Sequence, residues 1–347
     1  MRKLIIILLL LFNVTIIFMN DFKVNANLNY NTNCIAMDYN TKRIIYENNK
    51  DKVMLPASIT KILTCIVAIE NGNLEEYYKV DYETISQVGS SIYMDLNDEM
   101  KLYDLLVALM LRSGNDCAYL IASNVFDSYD RFIDEMNLLA KKIGMESSVF
   151  TNPSGLDSRN IKECNYTTCY DMALLMRYAY SNSVYREINS KTSYKCESKN
   201  GKVFVFNNKH KLIKNYDYCK AGKTGFTELA KRTLVSLFEK DDMKVIVVTM
   251  NCGNDWEVHL GLSNYYFDNF QMKTFMKSGF IDVNDNDYPY TPIIYDDIAY
   301  LIKNDEKLKI KIILYTKSDN DKIGYVKLYL HNNEDVFVRK IDIYRYY

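Results

Sequence analysis

Histidine is nearly missing from this chain: only His210, His259 and His331 stand among 347 residues. No Cys-x-x-Cys pair joins them. Cys164 and Cys169, the two cysteines nearest in sequence, are too widely spaced. A structural zinc site therefore has no ligand set. Nothing else in the sequence calls for a metal or an organic cofactor, so none is expected. No Gly-x-Ser-x-Gly elbow accompanies the histidines, which excludes a Ser-His-Asp hydrolase. An excess of either charge is missing too. With 43 basic and 44 acidic residues the net charge is -1, so no overall field draws the chain to nucleic acid or to an anionic membrane. Internal repeats and low-complexity linkers are absent.

What is present begins at the N-terminus. Arg2 and Lys3 precede an almost wholly apolar run from Leu4 to Met19, broken only by Asn13 and Thr15. Val24-Asn25-Ala26 then offers small residues to a signal peptidase, so cleavage after Ala26 is expected. The competing reading is an uncleaved membrane anchor. Both send the rest of the chain outward, to the extracytoplasmic cell envelope or beyond. Eight cysteines in an exported chain would ordinarily imply disulfides, yet the spacings assign no bridge. Cys65 and Cys117 fall in helical patterns, where a small buried thiol is ordinary.

The apolar pattern gives short strands at 34–38 and 43–47, then a helix opening at Pro56 and stopped by Asn71-Gly72. Helical patterns follow at 102–111, 117–126, 129–143 and 170–180. Strand-type runs at 202–206, 232–239 and 244–251 come next, then a helix at 256–267. Beyond Phe270 the candidate strands 309–315, 324–331 and 335–344 suggest a separate β unit. Helices in the middle of the segment, with strands on either side, predict an α/β domain whose sheet joins both ends. The expected division is a leader at 1–26, a catalytic domain at 27–270 and a small β-rich domain at 271–347.

Three short motifs recur in a telling order: Ser58-Ile59-Thr60-Lys61, Ser113-Gly114-Asn115 and Lys223-Thr224-Gly225. Each alone is weak; together they mark active-site serine DD-peptidases and serine β-lactamases. A serine hydroxyl needs a base, and a lysine three positions on lies on the same helix face. Burial and a neighbouring cation, for which Lys223 is the candidate, would disfavour the Lys61 ammonium and make the amine a base. The plain structural alternatives are a helix cap at Ser58, a solvated charge at Lys61, a second cap at Ser113 and an edge strand guarded by Lys223. In the functional reading Ser113 relays a proton to the leaving amine and Asn115 bonds the substrate amide. Gly225 admits close backbone approach, so a substrate strand can pair with the edge.

More than the motifs is familiar. Pro56-Ala57-Ser58-Ile59-Thr60-Lys61, Ser113-Gly114-Asn115-Asp116, Thr151-Asn152-Pro153-Ser154-Gly155-Leu156, Tyr166-Thr167-Thr168 with Asp171-Met172-Ala173-Leu174-Leu175, and Lys223-Thr224-Gly225-Phe226-Thr227 stand in sequence. Over roughly residues 30–270 the chain resembles the low-molecular-mass penicillin-binding proteins of the D-alanyl-D-alanine carboxypeptidase family, peptidase family S11. The resemblance implies a β-lactamase/transpeptidase-like fold, an antiparallel sheet flanked by helices. It also implies catalytic Ser58, Lys61 and Ser113, with Asn115, Lys223, Thr224 and Phe226 binding substrate. The implied substrate is a peptidoglycan stem peptide ending in D-Ala-D-Ala. Its penultimate carbonyl acylates Ser58, backbone N–H groups of Ser58 and Phe226 form the oxyanion hole, and Lys223 and Thr224 hold the terminal carboxylate. Penicillin would acylate the same serine.

The departures are specific. Asn165 stands where relatives often carry histidine. The stretch Asn254-Asp255-Trp256-Glu257-Val258-His259 lacks their arginine and resembles a variant found in sporulation-type members. His259 is then the candidate cation for the terminal carboxylate, against a plainer role in packing its helix. The chain ends at Arg345-Tyr346-Tyr347 without an amphipathic C-terminal anchor, so contact with a membrane surface stays open. A class A β-lactamase reading would require a deacylating glutamate with an asparagine four residues later, but Glu163 is followed by Thr167. A non-catalytic penicillin-binding or wall-binding module would need no nucleophile–base pair.

Overall fold

The computed structural model describes residue 30 and residues 32–283, 288–331 and 335–346; the expected leader lies outside the described residues. In chain order the elements are β1 (Asn33–Asp38), β2 (Ile44–Asn48), α1 (Lys61–Asn71), α2 (Leu102–Arg112), α3 (Asn115–Asn124), α4 (Tyr129–Ile143), α5 (Cys169–Ser181) and α6 (Ser183–Ser190). They continue with β3 (Cys219–Thr227), β4 (Lys231–Lys240), β5 (Met243–Met250), α7 (Asp255–Asn269), β6 (Phe270–Met276), β7 (Ile298–Lys303), β8 (Lys307–Leu314), β9 (Lys322–His331) and β10 (Asp335–Arg345). Among the described residues no helix is long and apolar enough to cross a membrane.

A five-stranded antiparallel sheet, ordered β2-β1-β5-β4-β3, organises the larger part. The first strand lies against β5, with Ile35 opposite Val248, so the sheet does join both ends of the segment. Its inner strands are covered on both faces, which is why they read as continuous apolar runs. Alternate side chains separate cleanly. Ile35, Met37, Ile246 and Val248 enter the core shared with α1 to α6, whereas Ala36, Val245 and Val247 pack with Val258, Leu262 and Tyr266 of α7. Helix α1 is buried over eight successive residues, Lys61 to Ala68. A helix apolar on every side belongs inside a core, and truncating one of its leucines would cost about 2–5 kcal/mol.

The strands that follow α7 form two further sheets. Strand β6 pairs with β7, and β8, β9 and β10 pair in succession, with Pro292–Ile294 and Gly279–Phe280 beyond β10. Arg43, at the start of β2, donates to Leu301 O at 2.9 Å and pairs with Glu306, joining the first sheet to this later segment.

Two local features depart from the sequence reading. The helix expected to open at Pro56 starts as a 3-10 turn, Ala57–Thr60, before α1. Ser113 caps nothing at the start of α3, whose N-cap is Gly114; it ends α2 instead, in the left-handed conformation at φ 66°. Helix α6 and strands β6 and β7 lie outside the elements expected from the sequence; α6 buries Tyr185 and Ile188 on one side but is only eight residues long.

All eight cysteines are free, and seven are buried; Cys196 alone is half-exposed. Burial pushes the thiols of Cys34 and Cys196 up to about 12 and lifts those of Cys65, Cys117, Cys169, Cys219 and Cys252 as well. Because the thiolate is the reactive form, alkylation of the folded protein should be slow and should label Cys196 first. All eight should react once the chain unfolds without reductant. Fewer than eight alkylated thiols, counted by mass, would contradict this arrangement.

Candidate active site

The 3-10 turn sets the geometry. Side chains three residues apart are eclipsed in such a turn, so Lys61 sits directly below Ser58, with Nζ 3.0 Å from Oγ. The ammonium position is enclosed: Lys61 is fully buried and also bonds Asn115 Oδ1 at 2.7 Å and Ser154 O at 2.5 Å. Burial lowers it to about 7, and the nearby Lys209 charge pushes in the same direction. A lysine near neutrality beside a serine hydroxyl can accept its proton.

A second pair faces the first. Lys223 Nζ donates to Ser113 Oγ at 2.9 Å and to Thr224 O at 2.8 Å. Burial, with repulsion from Lys61 and Lys209, holds Lys223 well below the ordinary lysine range. The left-handed backbone at Ser113 turns its hydroxyl toward β3 and away from the end of α2. Asn115 is engaged at both ends of its amide, since Nδ2 donates to Val88 O at 2.7 Å. In this state it braces Lys61 against the 88–90 loop.

Two glycines permit the convergence. A Cβ on Gly155, whose φ is +79°, would fall 1.8 Å from Ala57 O. A Cβ on Gly225 would fall 2.3 Å from Thr233 Oγ1 and 2.9 Å from Ser58 N. Only backbone without a side chain can pass so close to the serine turn. Ala57 itself holds a left-handed φ of 51°, a conformation that costs about 1–2 kcal/mol in a residue with a Cβ. The turn is tied down by Thr233 Oγ1 bonding Pro56 O at 2.8 Å. Asn165, in the place of the familiar histidine, is buried and links Thr151, Asn152 and Thr60 by hydrogen bonds, which fixes the 151–156 turn behind Lys61.

Above these groups opens a cavity of about 350 Å³ lined by Ser58, Ser113, Thr224, Gly225 and Phe226. Lys61, Asn115 and Lys223 lie behind its wall. Sequence reasoning missed part of the lining: Ser90, Lys209, Lys211, Arg232, Thr233 and Trp256. Arg232 reaches it from β4, held by Asp255 through Nε–Oδ2 at 3.1 Å and Nη2–Oδ1 at 2.8 Å, with its guanidinium 5.8 Å from the Trp256 ring centroid. The sequence signal available was the Asp-Trp pair at the head of α7.

His259 does not face the cavity. It is fully buried, with Nδ1 2.8 Å from Ser236 Oγ and Nε2 3.1 Å from Thr249 Oγ1. Burial keeps it well below the ordinary histidine range and therefore neutral. The cation reading of His259 is overturned; it packs α7 onto β4 and β5. Glu163 is exposed and bonds Asn160 Nδ2 and Ser158 Oγ, outside the cavity lining, so the β-lactamase reading lacks its glutamate.

The depressed lysines have a consequence for stability. Between pH of about 7 and about 10.4 an unfolded chain protonates Lys61 while the folded protein does not. Stability should therefore rise with pH across that window, by up to ~1.4 kcal/mol per unit for each neutral lysine. Denaturant titrations should show a smaller slope for Lys61→Met than for the unaltered protein, with Lys223 supplying the remainder. Equal slopes would mean that Lys61 is charged in the folded state.

A family model described as D-alanyl-D-alanine carboxypeptidase, Peptidase S11, matches residues 22–254. The D-alanyl-D-alanine carboxypeptidase DacF of Bacillus subtilis is 28% identical over 229 residues, covering 64% of this chain and 58% of that protein. DacC of Escherichia coli, a D-alanyl-D-alanine carboxypeptidase, is 29% identical over 238 residues, covering 64% and 56%. The match thus spans little more than half of either relative. The crystal structure of the D-alanyl-D-alanine carboxypeptidase DacD from Francisella tularensis superposes with a TM-score of 0.74 at 21% identity, over 93% of this chain and 94% of that one. That likeness speaks for the fold, and the family match for descent: this chain belongs to the D-alanyl-D-alanine carboxypeptidase family, Peptidase S11.

Proposed function

We propose that the protein is an extracytoplasmic serine D-Ala-D-Ala carboxypeptidase that removes the terminal D-alanine from peptidoglycan stem peptides and is acylated by β-lactams. The observation that carries this reading is the 3.0 Å contact between Ser58 Oγ and a fully buried Lys61. Lys61 takes the hydroxyl proton while Oγ bonds the carbonyl carbon of the penultimate D-Ala. The oxyanion is received by the backbone N–H groups of Ser58 and Phe226, where the close passage of Gly225 brings strand and turn together. The C–N bond then breaks. Its nitrogen receives a proton through Ser113, which Lys223 orients from 2.9 Å. Water hydrolyses the resulting ester, with Lys61 again as base. Asn115 keeps Lys61 in place and, once the Val88 contact yields, offers its amide to the peptide.

For the terminal carboxylate we add Arg232 to the expected Lys223 and Thr224. The bidentate bond to Asp255 uses Nε and Nη2 of Arg232 and leaves the Nη1 donors for a ligand. Lys209 and Lys211, in the same lining, add positive potential. The arginine that relatives supply from the 254–259 stretch is thus replaced from the neighbouring strand.

Release of D-alanine from a small peptide ending in D-Ala-D-Ala tests the reading. Ser58→Ala should lower kcat by ~10⁴-fold or more; a loss of a few-fold would sink the nucleophile assignment. Arg232→Gln should raise KM about tenfold or more, the loss of a hydrogen-bonded ion pair, for peptides with a free carboxylate and leave amidated analogues nearly unchanged. Equal losses on both substrates would make Arg232 a structural residue only.

A further inference from the structure

The sheet of β8, β9 and β10 has two unlike faces. One carries Val326, Leu328 and Ile343 into a small core with Ile281, Ile294 and Ile298. On the opposite face the strand register sets Lys311 opposite Lys327 and Lys327 opposite Lys340. Adjacent strands lie about 4.8 Å apart, so three lysines stand in one row across three strands. Like charges directly opposite each other destabilise a sheet, and here the offset comes from an aromatic ring beside two of them. Among the described residues no carboxylate pairs with any of the three. Asp342, on the same face, is taken by Lys322 at 2.6 Å. The Tyr325 ring underlies the row, 5.5 Å from Lys327 Nζ and 4.2 Å from Lys340 Nζ. Residues 271–347 contain as many acidic as basic side chains, so the row reflects segregation of charge and not an excess.

We propose that this face docks a linear polyanion bearing repeated phosphodiester groups. Three cations in register, at a cost to the free protein, are offset when several negative charges arrive together. Lysine serves phosphate as a point charge, whereas bidentate recognition of one carboxylate or phosphate favours the arginine fork, and the row holds lysine alone. A bilayer is the less suitable partner. A membrane-docking face carries apolar side chains that enter beyond its cations, but Tyr325 lies beneath the ammonium groups here. Phe337, packed edge-on to Tyr329, is a single exposed ring beside the row.

The test uses the full chain and inorganic polyphosphate as the probe, with binding followed by fluorescence anisotropy. The protein should bind, and affinity should fall roughly 20- to 40-fold between 50 and 200 mM salt, as expected for about three phosphate contacts. The combined Lys311→Gln, Lys327→Gln, Lys340→Gln variant should bind at least tenfold more weakly. It should also melt at a higher temperature than the unaltered protein when unliganded, because the repulsion is gone; this shows that it folds. A control removing three charges elsewhere, Lys141→Gln, Lys142→Gln and Lys162→Gln, should bind as the unaltered protein does. Equal binding by all three proteins, equal weakening in both variants, or no binding at 50 mM salt would overturn the proposal. So would capture by phosphatidylglycerol vesicles without capture of polyphosphate, which would identify a membrane surface instead.

Discussion

Two lysines buried side by side beneath two serines are the constraint around which the site is arranged. An isolated ammonium taken out of water costs several kcal/mol, and two of them also repel. The groups therefore shed protons, and the amines that remain are stabilised by hydrogen bonds to Ser58, Asn115, Ser154, Ser113 and Thr224. This is the usual way in which a fold makes a base from a residue that water keeps protonated. The surrounding irregularities follow from it. The 3-10 turn eclipses Ser58 over Lys61, the left-handed Ser113 aims at Lys223, and the bare backbones of Gly155 and Gly225 let three chain segments meet within contact of one turn.

The sheet supplies the rigidity this needs. Strand β3, at its edge, carries Lys223, Thr224 and Phe226, and β4 beside it carries Arg232 and Thr233 to the same cavity. Below, neutral His259 ties Ser236 of β4 to Thr249 of β5. Its neighbour His210 bonds the same Ser236 and presents its ring edge to Trp256. The two histidines thus act as uncharged hydrogen-bonding struts beneath the cavity floor.

Much of this was legible in the sequence because the governing spacings are short. Three residues from Ser58 to Lys61 fix one face of one turn, and apolar runs in β4 and β5 and an alternating one in β8 give these strands to within about two residues. Charge placement across strands was not legible. Arg232 reads as an ordinary strand residue until the register sets it opposite Phe226 and Asp255 is seen to hold it. His259, a candidate cation from sequence, sits on the buried side of α7, and no local pattern distinguishes the two sides of a helix whose polar and apolar residues are so evenly spread. The lysine row of β8, β9 and β10 likewise exists only in the register, since each lysine alone is one polar position in an alternating strand.

The account depends most on Lys61 acting as a neutral base toward Ser58. Mass spectrometry of the protein after short exposures to benzylpenicillin, across a range of pH, measures this directly. The adduct should form on the peptide containing Ser58, and its rate of formation should rise through a pKa of about 7. It should fall to background in Lys61→Met. An adduct on another residue, or a Ser58 rate that stays flat until pH 9 and then climbs, would contradict it.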